Sequence, residues 1–133
     1  MDGRIDERNR LLLRIELVGS EDSLLAVIDT GFTRHLLTHR ARTTELGLEV
    51  LPDFSRVVVA DGRSVTARRS KVTIVWHGRS ITVAVLIVDH PIDPTGGDAP
   101  TDCLVGVELM NDSELLVEFG RKVFWLAHVS GNA

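Results

Sequence analysis

The stretch Leu25-Ala26-Val27-Ile28-Asp29-Thr30-Gly31 is an apolar run that stops abruptly on an acid, a hydroxyl residue and a glycine. A solvated turn uses the same last three residues, but it does not usually follow an unbroken buried strand. The run places Asp29 at the rim of a core, where a carboxylate can be held in one position. On average residue usage an Asp-Thr-Gly triplet arises by chance in roughly one chain of this length in forty. The apolar lead-in makes it rarer still, yet the triplet only suggests a site, and the flanking chain has to decide.

Upstream, residues 11–18 alternate in their second half, with Leu13, Ile15 and Leu17 on one side and Arg14 and Glu16 on the other. That period predicts a half-buried strand. Residues 19–23 are turn-forming and 24–28 predict a second strand, so a hairpin delivers Asp29 at its end. Residues 1–10 are charged and aperiodic and read as a flexible arm.

Downstream, residues 38–46 predict a short helix, with Thr38 as N-cap and Gly47 as the stop. Residues 48–54 contain Pro52 and read as a connection. Val57-Val58-Val59-Ala60-Asp61-Gly62-Arg63-Ser64-Val65 has Asp-Gly between two strand-like runs, a preferred hairpin turn because both turn positions need positive φ. Residues 72–76 predict a strand, His77-Gly78 a turn, and 81–88 a nearly continuous apolar strand covered on both faces. Residues 89–102 hold Pro91, Pro94, Gly96, Gly97 and Pro100 and read as a loop long enough to be mobile or functional. Residues 103–110 are apolar around Gly106 and pass from strand to a short helical turn; Gly106 reads as a close-packing glycine and not as a ligand site. Residues 115–119 and 122–126 form a closing hairpin about Gly120-Arg121, and 129–133 fray. The expectation is an all-β, closed-barrel domain over 11–128 with one or two short helices.

Composition removes several function classes. The 133 residues are 44% hydrophobic and 26% charged, with net charge -4, which suits one globular domain and not a basic nucleic-acid surface. Arg68, Arg69 and Lys71 form a small basic cluster that a solvated strand face explains as well as a ligand does. Tyr is absent and aromatics are 5%, so a base-stacking surface is not expected. The single Cys103 rules out an internal disulfide framework and reads as a buried thiol. The longest strictly apolar run, 83–88, is too short to span a membrane, and the charged N-terminus is not a secretory signal; the expectation is a cytoplasmic protein. His35, His39, His77, His90 and His128 make no ligand set: the first two are four apart, but no third ligand stands near them. No metal and no cofactor are expected. There is no Gly-rich phosphate loop, and Ser and Cys lack the flanks of a nucleophile elbow.

Five pieces in order carry a resemblance: Val27-Ile28-Asp29-Thr30-Gly31-Phe32, Leu46-Gly47-Leu48, Ala60-Asp61-Gly62, Trp76-His77-Gly78-Arg79 and Leu104-Val105-Gly106-Val107-Glu108-Leu109. In that order and spacing the chain resembles the retropepsin-like aspartic proteases, above all the single-domain bacterial members. The match runs from about residue 11 to 126. Glu108 stands where relatives often carry Asp, and the 89–102 loop looks longer than usual.

The resemblance implies a chemistry. Two carboxylates in contact cannot both ionise cheaply, so they share a proton; the ionised one takes a proton from water and its partner polarises the peptide carbonyl. This chain has one Asp-Thr-Gly, so a dyad requires two copies with Asp29 from each meeting on a two-fold axis. By resemblance, the Thr30 hydroxyl bonds across that axis and Gly31 brings an amide to the carboxylate. The Ala60-Asp61-Gly62 hairpin is the flap, and Phe32, Ala60, Asp61, Gly62 and Arg63 contact a peptide or protein substrate. Other readings stand beside these: Asp29 as a structural acid capping a turn, Arg63 as a solvated turn residue, and the whole chain as a non-catalytic dimeric module that binds a peptide or a protein.

Overall fold

A computed structural model describes residues 1–58 and 62–129. Among the described residues ten strands and one helix follow in order: β1 Asp2–Ile5, β2 Leu11–Glu16, β3 Ser23–Ile28, β4 Leu36–His39, α1 Arg40–Leu46, β5 Leu51–Val58, β6 Ser64–Trp76, β7 Arg79–Val88, β8 Cys103–Val105, β9 Ser113–Glu118 and β10 Val123–His128. They make one sheet in the order β5-β6-β7-β4-β8-β3-β2-β1-β10-β9. The all-β expectation holds. The closed barrel does not: the ladder ends on β5 and β9. One isolated bridge, Leu17 to Ile74, brings the end of β2 against β6, with the Val18 N–H donating to the Thr73 carbonyl at 2.9 Å.

Both faces of the central strands are buried, in alternation. Leu13, Ile15, Ala26, Leu36, Val85 and Val105 belong to one core with Ile74 and Phe124. Their neighbours Leu12, Val27, Leu37, Leu86 and Leu104 belong to a second, with Phe32, Val57 and Ala67. This is why 83–88 reads as a continuous apolar run. It also explains β4, where the helix was expected to begin. Burying a side chain of this size is worth about 2 kcal/mol, whereas strand propensities differ by only about 1 kcal/mol. Leu36 and Leu37 are claimed by one core each, so the segment is extended. Thr38 is therefore not an N-cap; its hydroxyl donates to the Asp102 carbonyl at 2.8 Å. The helix starts after His39 and stops at Gly47 (φ 68°), as expected.

Two further expectations change. Residues 48–54 are not only a connection, since Pro52 lies inside β5; an edge strand tolerates its missing N–H, and the register slips between Leu51 and Phe54. The N-terminal arm is not loose: β1 lies between β10 and β2, with Gly3 opposite Phe124 and Ile5 opposite Leu11. A charged strand with one buried residue, Ile5, has no apolar period to announce it.

The 89–102 loop is tied down from within. Buried Asp93 accepts the Thr95 amide at 2.9 Å, the Thr95 hydroxyl at 2.7 Å and the Ala99 amide at 2.9 Å. Arg10 donates to the Ala99 carbonyl at 2.5 Å and is itself held by Asp6 at 2.9 Å. Burial pushes the Asp93 carboxyl up, but these hydrogen bonds and the Arg10 charge together hold it below its ordinary range. Cys103 is buried and its thiol is pushed up to about 12 by desolvation. Among the described residues no helix is long and apolar enough to cross a membrane.

Candidate active site

Asp29 follows β3 directly. Its backbone N–H donates to the Val105 carbonyl at 2.9 Å, which continues the parallel pairing of β3 with β8 past the end of the strand. The chain then turns sharply: the Phe32 N–H returns to the Asp29 carbonyl at 3.1 Å. The next segment is stitched to the far side of the 105–107 backbone. The Gly106 N–H donates to the His35 carbonyl and the Val107 N–H to the Phe32 carbonyl, both at 2.9 Å. The loop is thus gripped on both sides by one stretch from the far end of the chain.

That stretch needs a glycine. A Cβ at Gly106 would overlap the Arg34 carbonyl oxygen and stand 2.7 Å from that of Phe32. The backbones approach too closely for any side chain, which is the close-packing role read from the sequence. Glu108, two residues on, faces the His35 Nδ1 at 3.6 Å.

Within the loop the Gly31 amide donates to the Asp29 Oδ1 at 3.0 Å. The carboxylate is half-buried. Desolvation pushes its pKa up, and the Gly31 hydrogen bond pulls it down by less. Among the described residues no side chain forms an ion pair with it. The result is an acid held in place by its own loop, at a position where the charged form is disfavoured.

The other sequence candidates fall as follows. Thr30 is exposed, and its hydroxyl makes no hydrogen bond to a described residue of this chain. Phe32 is 3% exposed and packs in the second core. It also floors a groove of about 260 Å³ lined by Gly31, Thr33 and Arg34 on one side and by Arg56, Val57 and Val58 of β5 on the other. Gly62 has φ 84°, the left-handed conformation that the expected turn demands. Ala60 and Asp61 lie outside the described residues. Arg63 is exposed and lines a larger cavity of about 410 Å³ with Val65, Thr66, Val88, His90 and Ile92. Arg56 was not singled out from the sequence, and His90 entered there only as one of five histidines that make no ligand set; what marks each here is the spatial neighbours it acquires on folding. His, Cys, Asp and Glu gather in no group of three able to hold a metal among the described residues.

No protein-family model matches this chain, and no curated protein matches its sequence. Among solved structures, the chain is similar to a retropepsin-like aspartic protease from Rickettsia conorii. The TM-score is 0.67 over 95% of this chain and 88% of that one, at 11% identity. At that identity the likeness establishes the fold.

Proposed function

We propose that this chain is one half of a homodimeric aspartic endopeptidase. The observation that carries the reading is Asp29 itself: a half-buried carboxylate with a raised pKa, fixed by the Gly31 amide and paired with no described side chain. Such a group is suited to share a proton with a copy of itself. The fold likeness and the five ordered motifs support the same reading.

In this mechanism two Asp29 carboxylates meet on a two-fold axis and hold one proton between them. The ionised member takes a proton from a water molecule as that water attacks the peptide carbonyl. The protonated member hydrogen-bonds the carbonyl oxygen, and the proton taken from water passes to the departing amine. The two copies titrate as a unit. Thr30 reaches across the axis, which fits a hydroxyl without a described partner in its own chain. The hairpin carrying Ala60, Asp61 and Gly62 closes over an extended peptide, which lies as an added strand with Phe32 and Arg63 at its sides.

The test is cleavage of a diverse peptide library by the wild type and by Asp29→Ala, from acidic to neutral pH. The expected result is cleavage by the wild type alone, falling as pH rises past the upper pKa of the pair. Equal cleavage by both would place the activity elsewhere. No cleavage by a folded dimer would leave a binding module on the same fold.

A further inference from the structure

The groove of about 260 Å³ beside the Asp29 loop carries charge of one sign. Gly31, whose amide donates to the Asp29 Oδ1 at 3.0 Å, is part of its wall, so the groove is continuous with the candidate catalytic acid. Its floor is apolar and fixed: Phe32 is 3% exposed and Val57 5%, and both pack in the second core. Its charged side chains are Arg34, from the Asp29 loop, and Arg56, from β5. Among the described residues no acid lines it.

Elsewhere in the molecule arginines find acids. Arg10 pairs with Asp6, Arg40 with Asp89, Arg42 with Glu45 and Arg121 with Glu118. Arg34 and Arg56 are exposed, and neither forms an ion pair or a side-chain hydrogen bond with a described residue. The chain as a whole has net charge -4, so the basic groove is a local feature and not part of a generally basic surface.

We propose that this groove selects an acidic peptide: a glutamate or aspartate side chain near the bond to be cut lies along Phe32 and Val57 and sets its carboxylate between Arg34 and Arg56. The inference rests on the protease reading above and names its substrate class. A guanidinium is a planar fork that donates two parallel N–H groups to a carboxylate. Arg34 and Arg56 come from separate segments, so one carboxylate accepts from both. The aliphatic stem of the same side chain covers apolar floor, and glutamate, with one more methylene, covers more of it than aspartate. Glutamine keeps the shape but lacks the charge, so it loses the pairing. In a homodimer the groove occurs once on each side of the paired Asp29 carboxylates, and an acid on either side of the cut is accepted.

The test is the affinity of matched peptides for Asp29→Asn protein, which does not turn them over in the protease reading, measured by fluorescence polarisation at neutral pH. Each pair carries Glu or Gln at one position of an otherwise neutral extended peptide, and that position is moved along the peptide. Glu is expected to bind about tenfold tighter than Gln at one position or more, as for a hydrogen bond to a charged group. Adding Arg34→Gln or Arg56→Gln is expected to remove most of that ratio, with circular dichroism and Gln-peptide affinity unchanged. Arg68→Gln removes a cation that stacks on Phe54 at 4.6 Å and lines no part of the groove, and it is expected to keep the ratio. The ratio is also expected to fade as pH falls through the ordinary glutamate value of about 4.3, where both arginines keep their charge. Equal affinity for Glu and Gln at every position, no binding by any peptide, or a ratio that survives both groove substitutions would overturn the proposal. So would a ratio lost equally in Arg68→Gln. Peptides that bind with this arginine dependence but are cut by the wild type at no pH leave the groove standing and remove the protease reading alone.

Discussion

Gly106 and Asp29 show two different ways a residue can be indispensable. At Gly106 the constraint is space. Gly106→Ala drives a methyl group into the Arg34 and Phe32 carbonyls, and overpacking of this kind costs about 3 kcal/mol or more. Urea denaturation is expected to show that loss, with the loop holding Asp29 displaced first. At Asp29 the constraint is charge. A carboxyl whose folded pKa lies above its ordinary 3.8 stabilises the fold most when protonated, and that contribution is lost as pH rises through the folded value. Asp29→Asn is therefore expected to be more stable than the wild type at neutral pH. The advantage should vanish in acid, in thermal melts compared across pH. The two residues also differ in legibility. Asp29 announces itself, because an apolar run that ends on Asp-Thr-Gly is visible in one dimension. Gly106 reads from sequence only as a close-packing glycine, since what presses on it comes from residues 32–35.

Among the elements, β6 and the 89–102 loop were the least legible. β6 presents Ala67 to one core and then Val72, Ile74 and Trp76 to the other, so its buried positions change phase midway and its charged middle, residues 66–71, does not look like a strand. The loop was legible as a loop, but not as an ordered one, because one buried aspartate organises it and nothing in its sequence separates Asp93 from the solvated acids nearby. Removing that carboxyl strands the amides of Thr95 and Ala99, and Asp93→Ala is expected to cost about 2 kcal/mol. Limited proteolysis should then cut within 89–102. Because the Asp93 pKa is held below its ordinary value, its contribution is present above the ordinary carboxylate range and is lost as pH falls through the lowered value. The wild-type loop should become cleavable by an acid-active protease only in that acid window.

For the whole molecule, fold class was readable because the described strands leave a dense record of alternation and turns. Closure was not, since whether a sheet meets itself depends on twist and on partners that no local pattern encodes. The same holds for β1, whose place between β10 and β2 is decided by a hairpin from the opposite end of the chain. The proposed site is a property of two copies, and this has a kinetic signature. At concentrations below the dimer dissociation constant, cleavage per chain should rise in proportion to protein concentration; well above it, cleavage per chain should become constant. A dilution series read with one peptide substrate checks this, and a per-chain rate independent of dilution below that constant would argue against a shared site.

The grip of residues 105–107 on the Asp29 loop also sets an order of events. During synthesis the chain emerges from its first residue, so β3 and Asp29 leave the ribosome long before the strand that holds them. Until Val105, Gly106 and Val107 arrive, the Asp29 amide, the Phe32 carbonyl and the His35 carbonyl have none of the partners that position them. A nascent or prematurely terminated chain thus carries the carboxylate without its geometry. The Asp29 loop thus gains its geometry only after residues 105–107 have been made.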